Sequence, residues 1–196
     1  MSLFDNSEIK NYWVEDKSRK ARGSTEQVEP ITMLGRIKDS VDRVFPQIEM
    51  GRNYHFATMG EWSSHELLYH LLRITGPVKV YLTTWSIKET PVRMLMLMQE
   101  KGLITELHAL MDFRVRSTTP AVFFLAKSNI TRIGLSSIHA KTTVLINSKW
   151  SISVISSANY TNNLRIERGV VCCDHSVAAF DRDWICKELE QAKPFN

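Results

Sequence analysis

The segment SSIHAKTTVLINSKWSISVISSANYTNNLRIERGVV, residues 136 to 171, decides how the chain is read. AKTTVLI and SISVISS are short runs rich in β-branched residues, and Asn147-Ser148-Lys149 joins them. That pattern predicts two strands and a turn, a hairpin. His139 and Lys141 stand two residues apart at its entry, and Ser157 and Asn159 two apart at its exit. Residues i and i+2 of a strand face the same side, and an antiparallel hairpin brings its two open ends together. An imidazole, a fixed cation, a hydroxyl and an amide are thereby expected around one spot. Ammonium, amide and hydroxyl supply the charge and donors that a phosphate needs. Imidazole attacks or shuttles protons near neutral pH, and Glu167 can bond its other nitrogen and set the tautomer.

Outward from this segment the chain alternates strands and helices. TEQVEPITMLGRIKDSVDRVF has helical spacing at Met33, Leu34, Ile37, Val41 and Val44, and YHFATM reads as a short strand. SSHELLYHLLRIT predicts a helix capped by Ser63 or Ser64 and stopped by Gly76-Pro77. VKVYLTTW is a strand, 88–101 a Met-rich helix stopped by Gly102, and ITELHALMD another strand. Over 113–130 the pattern is unclear, although AVFFLAK suggests a short helix. TRIGLS and GVVCC read as strands, and SVAAFDRDWICKELEQAK as an amphipathic helix with Ser176 as N-cap. The order implies an α/β or α+β sandwich: a mixed sheet with helices on both faces. Residues 1–30 read as a basic and polar arm, with four basic residues between Lys17 and Arg22. Residues 31–196 read as a single domain.

At 196 residues, 43% hydrophobic and 23% charged, the chain can bury a core without disulfides or metal. A net charge of +4 is compatible with a polyanionic partner. Cys172, Cys173 and Cys186 make no disulfide framework and suit a reducing compartment. There is no secretion signal at the N-terminus and no apolar run of membrane-spanning length, so the expected location is the cytoplasm, with no membrane span.

Two features mislead. His65-Glu-Leu-Leu-Tyr-His70 resembles the zinc motif H-E-x-x-H but is one residue too long. On a helix the two rings would lie roughly 140° apart, so no metal site is expected, and one histidine should be exposed with the other at the core edge. Met94, Met96 and Met98 are expected to serve packing. His55, His108 and His175 are lone histidines without assigned chemistry.

The quoted residues resemble the phospholipase D superfamily, whose motif reads H-x-K-x4-D-x6-G-S-x-N. Here it is His139-Ala-Lys141 followed by Ser156-Ser157-Ala158-Asn159, with Glu167-Arg-Gly-Val-Val downstream. Three departures stand out. Ile146, followed by Asn147, occupies the aspartate position. Ser156 replaces the usual glycine. Fourteen residues separate Lys141 from Ser156 where the motif has eleven. In the family the aspartate is held to support structure more than bond-making.

The resemblance implies a phospholipase D-like fold and a metal-independent phosphodiesterase, without cofactor, acting through a phosphohistidine. The family mechanism needs two histidines, and this chain has one motif and no internal repeat. It therefore implies a C2 homodimer with a shared active site. His139, Lys141, Asn159 and Glu167 would be catalytic, and Ser156 and Ser157 would bind substrate. Single-motif members are more often nucleases than lipases. Arg114, Arg116, Lys127 and Arg132 precede the motif and suit a groove for a nucleic-acid backbone. The leading expectation is thus a nuclease on DNA or RNA with low sequence specificity. A lipid phosphodiesterase, or a catalytically impaired nucleic-acid-binding module, are the alternatives.

Overall fold

The computed structural model describes residues 22–25, 40–162 and 165–192, the first of these through its backbone only. Eight strands form one sheet: β1 (Arg22–Thr25), β2 (Arg52–Ala57), β3 (Val78–Thr84), β4 (Ile104–Asp112), β5 (Arg132–Ser136), β6 (Thr142–Ile146), β7 (Ser151–Ser156) and β8 (Arg168–Cys173). Their order is β1-β2-β8-β7-β6-β3-β4-β5. The helices are α1 (Ser40–Val44), α2 (Ser64–Thr75), α3 (Glu89–Glu100), α4 (Arg114–Thr118), α5 (Pro120–Asn129) and α6 (His175–Gln191).

The predicted hairpin is present: β6 pairs antiparallel with β7, with Thr142 opposite Ile155. β3 pairs antiparallel with β6 on one side and parallel with β4 on the other, and β5 continues the parallel run. The chain direction thus reverses at β3, and in open α/β sheets the crevice outside the strand ends at such a switch point is where ligands bind. The C-terminal ends of β2, β3, β4, β5 and β7, and the starts of β6 and β8, share this edge.

One face of the sheet carries the large core. Leu67, Leu71, Val92, Leu95, Phe123 and Ala126 from the helices, with Phe45 and Trp62 from the segments beside them, meet Phe56, Leu82, Leu107, Leu145 and Ile152 from the strands. On the other face α6 packs Ala178, Ile185 and Leu189 against Leu110 and Val144. Polar contacts peg α6 in place. Ser153 Oγ donates to the buried Asp181, which also accepts from Trp184 Nε1 at 3.0 Å. Arg132 donates to the Leu189 carbonyl at 2.9 Å. A Cβ on Gly134 would stand 2.7 Å from Leu189 Cδ2, so the glycine lets α6 approach β5. Helices cover both faces, as expected.

Several sequence expectations need correcting. The N-cap of α6 is Asp174, whose carboxylate accepts the Ser176 and Val177 amides at 2.8 and 2.9 Å; Ser176 lies inside the helix. A carboxylate at this position also meets the positive end of the helix dipole. His65 and His70 are both buried, neither being exposed. His65 bonds Ser63, and His70 bridges Asp42 at 2.7 Å and the Phe45 carbonyl at 2.8 Å, tying α1 to α2. The unclear stretch 113–130 holds two helices, the second opened by Pro120. Arg132, exposed at the start of β5, bonds the last turns of α6. Ser63 is the N-cap of α2, in a capping box with Glu66. Within the expected N-terminal arm, Arg22–Thr25 pair with β2. Met33, Leu34 and Ile37, and the arm's basic residues before Arg22, lie outside the described residues.

Asn147 makes the hairpin turn. Its carbonyl oxygen accepts the Lys149 and Trp150 amides at 2.9 and 2.8 Å, and its amide donates to the Thr75 and Pro77 carbonyls at 3.2 and 3.0 Å. The Asn147→Ala variant should lose about 1–3 kcal/mol of stability, read by urea unfolding. Gly169 is tighter still: a Cβ there would stand 2.4 Å from the Phe56 ring and 2.7 Å from the Ile155 carbonyl oxygen. Gly169→Ala should cost about 1–3 kcal/mol, read as a lowered Tm.

Candidate active site

The end of β3 organises the site. Thr83 Oγ1 donates to the Ala140 carbonyl at 3.0 Å and accepts the Thr142 amide at 2.9 Å. The His139–Lys141 segment, which precedes β6, is thereby fixed against β3. The Lys141 carbonyl then accepts the Ser156 amide at 3.0 Å, carrying the pairing of β6 with β7 one step further. Beyond Thr84, the Trp85 and Ser86 amides donate to the side-chain oxygen of Asn159 at 3.1 and 3.2 Å. Two N–H donors on one atom require it to be the carbonyl oxygen. The Asn159 amide nitrogen is then the free end, a donor without a partner among the described residues. Below it, Tyr160 is buried and bonds Thr143 at 2.7 Å, which burial accompanies with a large upward push on its phenol.

Lys141 folds onto His139. Its Nζ lies 3.0 Å from Nδ1 and 3.2 Å from Nε2, and donates to the His139 carbonyl at 2.6 Å. Burial pushes the Lys141 ammonium below the ordinary lysine range, and the negative charge of Glu167 partly offsets this. Glu167 accepts from Ser157 Oγ, which in turn accepts the Arg168 amide at 3.1 Å. Thr58 holds the backbone beside it: its Oγ1 accepts the Glu167 amide at 3.0 Å, and its amide donates to the Glu167 carbonyl at 2.8 Å. The sequence reading placed Glu167 on the imidazole; the contact seen in the structure is with Ser157.

Six of the expected site residues therefore share one edge: His139, Lys141, Ser156, Ser157, Asn159 and Glu167. Ser156 Oγ accepts the Ala158 amide at 3.2 Å, shaping the turn that leads to Asn159. Arg114 is also here, its guanidinium 4.5 Å above the Trp85 ring, whereas Arg116 stands exposed elsewhere on α4. Lys127 is exposed on α5. Sequence reasoning missed Thr83, Thr84, Trp85 and Asp112. Their only signal was position, at the ends of predicted strands on the edge where such sheets bind ligands.

A small cavity lies beneath Lys141 and Ser156, between α2 and the sheet, lined by Trp62, Leu68 and Tyr160 among others. Its volume of about 20 Å³ is room for a water or two, far below what an acyl chain or a nucleotide occupies. The described residues hold no cluster of His, Cys, Asp and Glu arranged for a metal, and no helix among them is long and apolar enough to cross a membrane.

No family model and no curated protein matches the chain. Solved structures do. NucT from Helicobacter pylori aligns with a TM-score of 0.56 at 16% identity, over 73% of this chain and 98% of that one. TrmBL2, an archaeal chromatin protein with a novel mode of DNA binding, aligns at 0.50 and 11% identity, over 80% of this chain and 59% of its own. A phospholipase D family member, Nuc from Salmonella typhimurium, aligns at 0.47 and 15% identity, over 61% of this chain and 82% of that one. The likeness is one of architecture: the chain shares the mixed-sheet fold of NucT.

Proposed function

We propose that the protein is a phosphodiesterase of the phospholipase D type, most readily a nuclease of low sequence specificity. The observation that carries this is the meeting of His139, the Lys141 ammonium and the free Asn159 amide at one strand edge. These groups supply a nucleophile, a cation and an oriented donor for a phosphate.

In this reading an imidazole nitrogen of His139 attacks phosphorus, forming an N–P bond as the P–O bond to the leaving group breaks. A second imidazolium gives its proton to the departing oxygen. That imidazole then takes a proton from water, the hydroxide attacks phosphorus, and the N–P bond breaks. Lys141 and Asn159 hold the non-bridging oxygens throughout, and Ser157 keeps Glu167 beside them. All six histidines of the chain are described, and those other than His139 have partners of their own: His65 and His70 are buried in structural bonds, His108 stacks on Tyr81, and His175 bonds Ser151. His55 sits in β2 against Arg168. The second imidazole accordingly comes from His139 of a second copy, across a two-fold axis.

Nucleic acid is proposed over lipid because Arg114 offers a further cation beside the site and the chain carries a net charge of +4, which suits a backbone of successive phosphates. A binding module without catalysis is the second reading. Its specific support is Ile146 at the motif's aspartate position. Against it, Asn147, the next residue, already holds the turn through four hydrogen bonds.

Labelled single- and double-stranded DNA and RNA incubated in EDTA should be cut by the wild type. His139→Ala and Asn159→Ala should lower the rate by at least about 100-fold while melting like the wild type. Retained binding with no cleavage would move the protein to the binding-module reading, and release of headgroup from phosphatidylcholine vesicles alone would move it to lipid. A shared site makes a second prediction. When wild type is exchanged with increasing His139→Ala protein, activity should follow the square of the wild-type fraction, because a mixed dimer has only one of its two histidines. A linear fall would mean that each chain acts alone.

A further inference from the structure

His139 is exposed and lies outside the strands, so the sheet does not fix its ring. Lys141 does not fix it either: its ammonium is almost equidistant from the two ring nitrogens. The remaining contact is aromatic. The Trp85 indole meets the imidazole edge to face, with centroids 5.6 Å apart and planes at 61°.

Trp85 is itself braced by Arg114. Asp112, 3% exposed, ends β4. Its Oδ1 accepts both the amide and Nε of Arg114, at 3.0 and 2.8 Å. The Arg114 guanidinium is thereby laid over the indole at 4.5 Å. The other Asp112 oxygen accepts the Ile138 amide at 3.4 Å, one residue before His139. Burial pushes the Asp112 carboxyl up, but the Arg114 and Ile138 donors outweigh it and hold the group below the usual carboxylate range. The anion that braces both the loop and the indole thus persists at neutral pH. Meanwhile the Trp85 indole N–H is buried and makes no hydrogen bond. With its backbone amide on Asn159 and its ring on His139, this one residue touches both halves of the site.

We propose that Trp85 is a positioning residue for His139, clamped by Arg114 and Asp112, which restricts the imidazole to the orientation that aims one nitrogen at phosphorus. The inference rests on the phosphodiesterase reading for its purpose, but its geometry does not. Misplacing a reacting group by about 1 Å costs about 100-fold in rate, so an exposed nucleophile needs such a wall.

The test uses bis(4-nitrophenyl) phosphate in EDTA, a diester with no base to be read by the protein, together with nitrogen-15 NMR of the His139 ring assigned through His139→Ala. Trp85→Ala should lower kcat by about 10- to 100-fold with KM within about threefold. Trp85→Phe, which keeps a ring, should recover most of the loss, and Arg114→Met should show a milder form of it. In the NMR spectra the single ring state of the wild type should give way to averaged shifts in Trp85→Ala. Unchanged kcat and unchanged ring signals in folded Trp85→Ala would overturn the proposal, as would a rise in KM alone, which would make Trp85 a substrate contact. If Trp85→Ala does not fold, Trp85→Phe and Arg114→Met carry the same two readouts. If His139→Ala cleaves like the wild type, the phosphodiesterase reading fails, and the ring signals still decide whether Trp85 orients His139.

Discussion

Four residues at the end of β3, Thr83 to Ser86, hold both halves of the site. Thr83 grips the backbone around Lys141, and the amides of Trp85 and Ser86 grip Asn159. Each such bond contributes only about 1 kcal/mol net, but a buried partner left unpaired costs about 1–3 kcal/mol. The two segments therefore cannot drift apart without stranding polar groups. β3 is also where the sheet changes from antiparallel to parallel, and its carboxyl end stands beside the His139–Lys141 segment. One strand end thus secures both sets of groups.

The electrostatic design follows. The Asn159 oxygen is committed to backbone donors, so its nitrogen is oriented before any ligand arrives. Lys141 is drawn against the imidazole by its bond to the His139 carbonyl. Donors fixed in advance need no reorganisation when charge develops on a phosphate, which is the main advantage a site has over water. Cys173, at the far end of β8 from these groups, is pushed up to about 12, chiefly by burial.

The hairpin, the α2 boundaries and the alternation of strands with helices were legible because each is encoded within a few residues. Asn147-Ser148-Lys149 interrupts two β-branched runs, and Gly76-Pro77 ends a helical pattern. The residues that brace the site were not legible. Thr83 and Ala140 are 57 positions apart, and Trp85 and Asn159 are 74 apart, so nothing local links them. Other misses have local causes. In Asp174-His175-Ser176 both ends can cap a helix, and the carboxylate two residues earlier does so. His65 and His70 resemble polar surface residues by type, yet each found a buried partner that offsets the cost of desolvation. The Phe-rich stretch 113–130 has too little periodicity to show that Pro120 divides it into two helices.

Strand order has a consequence for the making of the molecule. β2 emerges early but pairs only with β1 and β8, so its inner neighbour is missing until Cys173 has been synthesised. Until then one edge of β2 carries unsatisfied amides and carbonyls, and closing that gap means closing a loop of more than a hundred residues, a slow step with a large entropic cost. Glu167 and Thr58 meet only through this closure. On the ribosome Glu167 thus joins the site only once β8 has been made, and a nascent chain that stops before β8 cannot carry a finished one.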